Sequence, residues 1–342
     1  MIYSFKANMA GPYHIDNGIP CQDSYSIEQR EDVICVAVAD GLGSEAYSDV
    51  GSKIAASTAT KYCIEHFDNK MPLDKVKAVM NNAFVYAYKA VLQAAADAGN
   101  SEDEYDTTLC LAIMKEDHVF YGQSGDSGMV ALLEDGHYMK VTEQQRDEDG
   151  NVFPLCWGPD KWVFGEVTDS VSAIMLMTDG IFEEICPPIL RNRDINVNIP
   201  LAQKFMERNE EQSDEIAELE TAVANYLMKY PRRLLDDDKT MVVVYNTDFP
   251  AAKLEDSYYS IPDWNEIYKT VRDKLRNSSK ELIDESDGCD ESSEVCAEFD
   301  EQELCDDECL SETEAMNLPC EECVAIEVVE TTDPCKKKRI KT

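Results

Sequence analysis

Three apolar runs in this sequence each meet an aspartate at one end, and that pattern restricts the fold more than any other feature. VICVAVADG (33–41) ends on Asp40-Gly41, VSAIMLMTDG (171–180) ends on Asp179-Gly180, and TMVVVYN (240–246) follows Asp236, Asp237 and Asp238. Such runs of β-branched and long apolar residues read as buried strands. A buried strand fixes a carboxylate at its tip, and a following glycine lets another group approach the backbone. GQSGDSG (122–128) adds a fourth aspartate, Asp126. Asp-Gly is also a favoured turn dipeptide, so any one of these motifs alone reads as a turn. Four together point to a site. Carboxylates gathered at one point repel each other, and hard divalent cations such as Mg²⁺ or Mn²⁺ resolve that repulsion.

Other segments supply an α/β frame. A helix is expected from about 48 to 67. In the next, Val76, Val79, Met80, Ala83, Phe84, Ala87 and Val91 share one face at helical spacing. TTLCLAIMK, HVFYGQSGD, GMVALLEDG and HYMKVT follow between short turns and read as an antiparallel meander. After a loop at 150–160, KWVFGEV adds a strand before VSAIMLMTDG. Helical segments come next, the second with Ile216, Leu219, Val223, Tyr226 and Leu227 on one face, and TMVVVYN closes the unit. Strands, helices and strands again predict an α+β fold.

The charge is uneven. The 342-residue chain carries −38 in all, and residues 281–342 hold 21 acidic against 5 basic side chains, or −16. Seven of the 13 cysteines also lie at or beyond Cys289. So negative a chain has no general electrostatic footprint for nucleic acid or anionic lipid, and it should attract cations. The N-terminal MIYSFKANMAGPYH lacks signal-peptide character, and no apolar stretch is long enough to span a bilayer. The expectation is a cytoplasmic protein with reduced thiols. Residues 1–250 read as one domain, 251–286 as a linker with a helix opening near Pro262, and 287–342 as a disordered acidic, Cys-rich tail.

In order and content these motifs resemble those of the metal-dependent protein phosphatases of type 2C, most closely a bacterial branch, over about residues 8–247. Gly11-Pro-Tyr-His with Gln22-Asp23-Ser24 resembles the first motif, and Val38 to Ser44 (VADGLGS) the second. Asp106-Thr-Thr stands where the family has Gly-Thr-Thr. Gly125-Asp-Ser, Thr178-Asp-Gly and Asp237-Asp-Lys-Thr complete the series.

The resemblance implies a four-layer α/β/β/α sandwich, two antiparallel sheets flanked by helices, with a metal cleft at one end. It implies hydrolysis of phosphoserine or phosphothreonine in signalling phosphoproteins, with a cognate serine/threonine kinase as a partner. Asp40 would bridge two Mg²⁺ or Mn²⁺ ions, the carbonyl of Gly41 would bind the second, and Asp179 and Asp237 would complete the first. Asp126 would help hold a third, weaker ion. A water between two cations becomes hydroxide near neutral pH and attacks phosphorus in line.

Several positions depart from the family. Gln22 replaces a metal-binding glutamate and offers a carbonyl without charge, so the second ion should bind less tightly. The phosphate-clamping arginine has no counterpart, and His14 occupies the nearest position, either as a phosphate ligand or as a polar loop residue. Leu42 stands where some relatives place an acid histidine, and Gly128 where the Gly-Asp-Ser motif is followed by arginine.

Among the remaining candidates, His66 reads as a cap on a helix end, and His118 and His137 as solvent-exposed. Asp23 reads as a supporting or a turn residue, and Asp236 and Asp238 as spectators, solvated or hydrogen-bonded around Asp237. Cys320/Cys323 and Cys305/Cys309 could form a zinc site, but the irregular spacing favours a redox-sensitive thiol tract. Two rival functions remain open: a pseudophosphatase that binds phosphoproteins without turnover, and a tail that acts as a metal- or redox-responsive arm on a scaffold.

Overall fold

The computed structural model describes residues 1–68, 70–191, 193–207, 216–229 and 236–272. The acidic tail at 287–342 and the end of the expected linker lie outside the described residues. The chain begins with β1 (Ile2–Met9), α1 (Pro12–Asn17), β2 (Asp23–Arg30), β3 (Val33–Asp40), α2 (Ser48–His66) and α3 (Leu73–Ala98). Five strands follow: β4 (Leu109–Lys115), β5 (His118–Ser124), β6 (Gly128–Leu133), β7 (Tyr138–Lys140) and β8 (Val163–Val167). Then come β9 (Val171–Met177), α4 (Asp179–Ile185), α5 (Ile199–Met206), α6 (Ile216–Lys229) and β10 (Lys239–Asn246).

Strand β3 shows why the molecule is layered. Val33, Cys35, Ala37 and Ala39 face the helices α2 and α3, while Ile34, Val36 and Val38 face a second sheet. Successive strand side chains point to opposite faces, so an unbroken apolar strand needs cover on both. Two five-stranded antiparallel sheets result, ordered β1-β10-β9-β6-β7 and β2-β3-β4-β5-β8. Between them Val36, Val38, Ala112 and Met114 meet Met129, Ile174, Leu176, Val242 and Val244. Helices α4, α5 and α6 cover the outer face of the first sheet through Phe182, Phe205, Leu219, Val223 and Leu227. This is an α+β fold of two antiparallel sheets flanked by helices.

Small side chains bring α2 close to its sheet, for Ala55, Ala56, Ala59 and Cys63 are fully buried there. On α3 the expected face is buried at Val76, Met80, Ala83, Phe84, Ala87 and Val91, with Val79 partly covered.

The expected meander is corrected. β4 pairs with β5 and β6 with β7, but β5 and β6 belong to different sheets. Gly125, at φ 102°, turns the chain from one sheet into the other, a conformation that favours glycine. The same exchange separates β8, on β5, from β9, which pairs with β6 and β10. Strand β1, unmarked in the sequence reading, lies along β10 from Ile2↔Asn246 to Met9↔Lys239. Beyond β10, Ala252 N donates to Glu134 O at 2.7 Å, Tyr138 N donates to Tyr258 Oη at 2.9 Å, and Trp264 is buried at the start of a helix over 264–272. The described part of the expected linker thus packs along β7 and its turn.

Candidate metal centre

Both sheets deliver aspartates to one cleft. Asp40, the last residue of β3, is gripped by its own backbone. Its N–H donates to Thr108 Oγ1 at 2.9 Å, and its carbonyl accepts from Thr108 N at 2.8 Å and Thr107 Oγ1 at 2.9 Å. Asp126 sits in the turn that carries the chain between sheets. Asp179 opens α4 directly after β9, at the helix end where a carboxylate is favoured. Thr178 N donates to Thr240 O at 3.0 Å, and Thr240 N returns a bond to Thr178 Oγ1 at 3.1 Å, which locks β9 to β10 at the cleft. Thr178 Oγ1 also donates to Asp23 Oδ2 at 2.6 Å, and Asp23 lies opposite Asp40 on β2. The glycines after the aspartates allow close approach. A Cβ on Gly180 would lie 2.2 Å from Asp238 O, and one on Gly41 would lie 2.6 Å from Ser48 O.

One oxygen each from Asp40, Asp126 and Asp179 falls within 4.8 Å of the others. Burial pushes the Asp40 carboxyl well above its ordinary range, and the charges of Asp23, Asp179, Asp126 and Asp237 add to the rise. Asp179 rises to about 7, from burial first and then from Asp126 and Asp237. Burial also raises Asp126, with Arg146 opposing. Asp237 is exposed and belongs to an adjoining group, its carboxylate within 4.8 Å of ligand atoms on His14 and Asp238.

The structure corrects the reading of Asp238 as a spectator. Its buried carboxylate accepts from Gly11 N at 2.7 Å and Gln22 N at 2.6 Å, and Oδ1 stands 2.7 Å from His14 Nδ1. It therefore ties the β1–α1 connection and the start of β2 to the residue after Asp237. His14 is buried, and its Nδ1 is committed to this contact. Gln22 is buried too, and its Nε2 donates to Ser48 Oγ at 2.8 Å and Glu45 O at 3.3 Å. Asp106, in place of the family glycine, accepts from the Cys156 thiol at 3.1 Å. His66 Nδ1 meets Tyr62 O at 2.8 Å in the last turn of α2, and His118 and His137 are exposed, as expected.

Two cleft residues were not anticipated. Arg146 Nη2 donates to Asp179 Oδ2 and Glu183 Oε1, both at 3.3 Å. Asp126 Oδ2 lies only 2.7 Å from the same nitrogen, a close ion pair outside good hydrogen-bond geometry. Arg146 comes from an aperiodic loop that gave no signal. Glu183 was legible in principle, four residues beyond Asp179 and so on the same face of α4.

The donors fit a hard divalent cation. All are oxygen atoms and they come from separate chain segments.

A profile of the protein phosphatase 2C family matches residues 10–227. The chain belongs to the protein phosphatase 2C family. By that membership it is a protein serine/threonine phosphatase, built on a metal-dependent scaffold. No curated protein sequence matches it. Among solved structures, a bacterial serine phosphatase carrying an arginine-to-lysine substitution is similar at TM-score 0.50 and 13% identity, over 74% of this chain and 100% of that one. A serine/threonine phosphatase from S. agalactiae is similar at TM-score 0.49 and 15% identity, over 72% of this chain and 99% of that one. At 13% identity the likeness to the first concerns the fold alone.

Proposed function

We propose that this phosphatase hydrolyses phosphoserine and phosphothreonine in proteins with two Mg²⁺ or Mn²⁺ ions held by Asp40, the Gly41 carbonyl, Asp179 and Asp237, with Gln22 as a neutral ligand of the second. The observation that carries the reading is the meeting of Asp40, Asp126 and Asp179 from three separate chain segments, with carboxyls kept hard to ionise until a cation arrives. Bound there, divalent cations supply the positive charge that a phosphate dianion requires and acidify the attacking water.

The chain's own residues do the rest. Thr107 and Thr108 hold the Asp40 backbone, so its carboxylate is preorganised. Asp238 N donates to Asp237 Oδ1 at 2.7 Å and the Asp238 carboxylate holds His14 Nδ1, which leaves His14 Nε2 as the ring atom for the substrate phosphate. A negative body favours substrates with basic residues beside the phosphate. A cognate serine/threonine kinase would supply them. The six described cysteines are all free thiols, in keeping with a reducing cytoplasmic setting. Among the described residues no helix is long and apolar enough to cross a membrane.

The test is Mn²⁺-dependent hydrolysis of p-nitrophenyl phosphate by wild type and Asp40→Ala, with Mn²⁺ binding followed by calorimetry. Activity lost in the variant is expected, while unchanged turnover would sink the assignment. Mn²⁺ binding without turnover in wild type would favour the phosphoprotein-binding alternative.

A further inference from the structure

The contacts of Arg146 point to a role that the cation-binding carboxylates leave open. We infer that Arg146 is a built-in cation that occupies the Asp126–Glu183 side of the cleft and keeps a divalent ion from binding there. The inference rests on the reading of the cleft as a cation site.

Its position is imposed by the loop that carries it. Gln145 N donates to Gly125 O at 3.1 Å, and Gly125 N returns a bond to Gln145 Oε1 at 2.9 Å, so the residue before Arg146 is paired with the residue before Asp126. Gln123 Nε2 donates to Glu143 O at 2.8 Å and fixes the entry to the loop. Arg146 is paired with Val152 across a turn in which Asp147 Oδ1 accepts from the N–H groups of Asp149 and Asn151 at 2.9 and 2.8 Å. The guanidinium is therefore delivered to the acidic cluster by its backbone.

What it finds there suits a cation of higher charge. Asp126, Asp179 and Glu183 bring three carboxylates to one Nη2, within 2.7, 3.3 and 3.3 Å. A terminal guanidinium nitrogen has two hydrogens and cannot bond all three in good geometry, whereas a divalent ion has no such directional limit. The remaining mismatch falls on Asp126 Oδ2, the buried oxygen without a hydrogen bond. One guanidinium facing three carboxyl groups leaves their oxygens incompletely satisfied, yet it excludes a free ion by volume and by charge. Arg146 is thus a positioning residue that sets how many ions the cleft takes up.

The experiment counts Mn²⁺ on the full-length protein by electron paramagnetic resonance and by calorimetry, in wild type, Arg146→Gln, Arg146→Lys and Arg146→Gln/Asp126→Asn. Arg146→Gln should bind one more Mn²⁺ per chain than wild type, or bind its weakest ion at least about tenfold more tightly. Arg146→Lys, which restores the charge, should return the count to that of wild type. The double variant should lose the added ion. Equal numbers and affinities in wild type and Arg146→Gln would overturn the inference while leaving the cation site standing. Failure of every protein to bind Mn²⁺ would overturn the cation site and the inference together. Circular dichroism on each variant separates these outcomes from misfolding.

Discussion

Replacing Asp179 by asparagine should make the cation-free protein more stable in mildly alkaline solution and largely indifferent to Mn²⁺. Burial, with Asp126 and Asp237 adding, holds the Asp179 carboxyl at about 7, whereas in an unfolded chain an aspartate titrates near ~4. Between those values the folded state keeps a proton that the unfolded state has lost. The stability this group contributes is therefore full at acid pH and is lost as pH rises through about 7. Each tenfold difference in proton affinity is worth ~1.4 kcal/mol, so between about pH 5 and about pH 8 the cost grows by roughly 2.5 kcal/mol. Asparagine does not ionise, and the variant should lose that slope. The 3.3 Å pair with Arg146 is lost as well, and the Asp179 side chain is 21% exposed, so the expected net gain at alkaline pH is about 2 kcal/mol. Urea unfolding in chelator at both pH values measures it, and a repeat in Mn²⁺ reads the linkage. Mn²⁺ should stabilise wild type strongly and the variant little. A variant with the wild-type pH slope, or one less stable than wild type at both pH values, would refute the reasoning.

Two further outcomes follow from neighbouring residues. Asp238→Ala strands the donors on Gly11, Gln22 and His14, each within 2.7 Å of the carboxylate, and should cost about 3 kcal/mol or more in chemical denaturation; a loss well under ~1 kcal/mol would contradict its role as a hub. Gln22→Glu adds a charge at the cleft and should tighten Mn²⁺ binding about tenfold by calorimetry, and unchanged affinity would place residue 22 beyond the ion's reach.

The strands and their terminal aspartates were legible because two-sided burial writes itself into the chain as unbroken apolar runs. β3, β9 and β10 are each such a run, and Asp40 and Asp179 stand at their ends. Sheet membership was not legible. β5 and β6 both present apolar residues to the same inner layer, and nothing in their sequences says that Gly125 carries the chain across it. Strand β1 escaped notice because only Phe5 and Ala7 along it are buried, so its apolar signal is weak. Asp237 and Asp238 look equivalent as neighbours in a run of aspartates. They differ only because β10 begins where one carboxylate is exposed and the next is turned toward Gly11, Gln22 and His14. Arg146 was illegible for a related reason: its partners lie 20, 33 and 37 residues away and meet it only through the fold.

The central claim is that the aspartate cleft turns over phosphoprotein through bound divalent cations. The most direct measurement is phosphate release from a phosphothreonine peptide as Mn²⁺ is titrated into chelator-stripped protein. The account predicts no release without the ion, saturable release with it, and none at any Mn²⁺ concentration for Asp40→Ala. Release that persists in chelator, or that survives intact in Asp40→Ala, would contradict it.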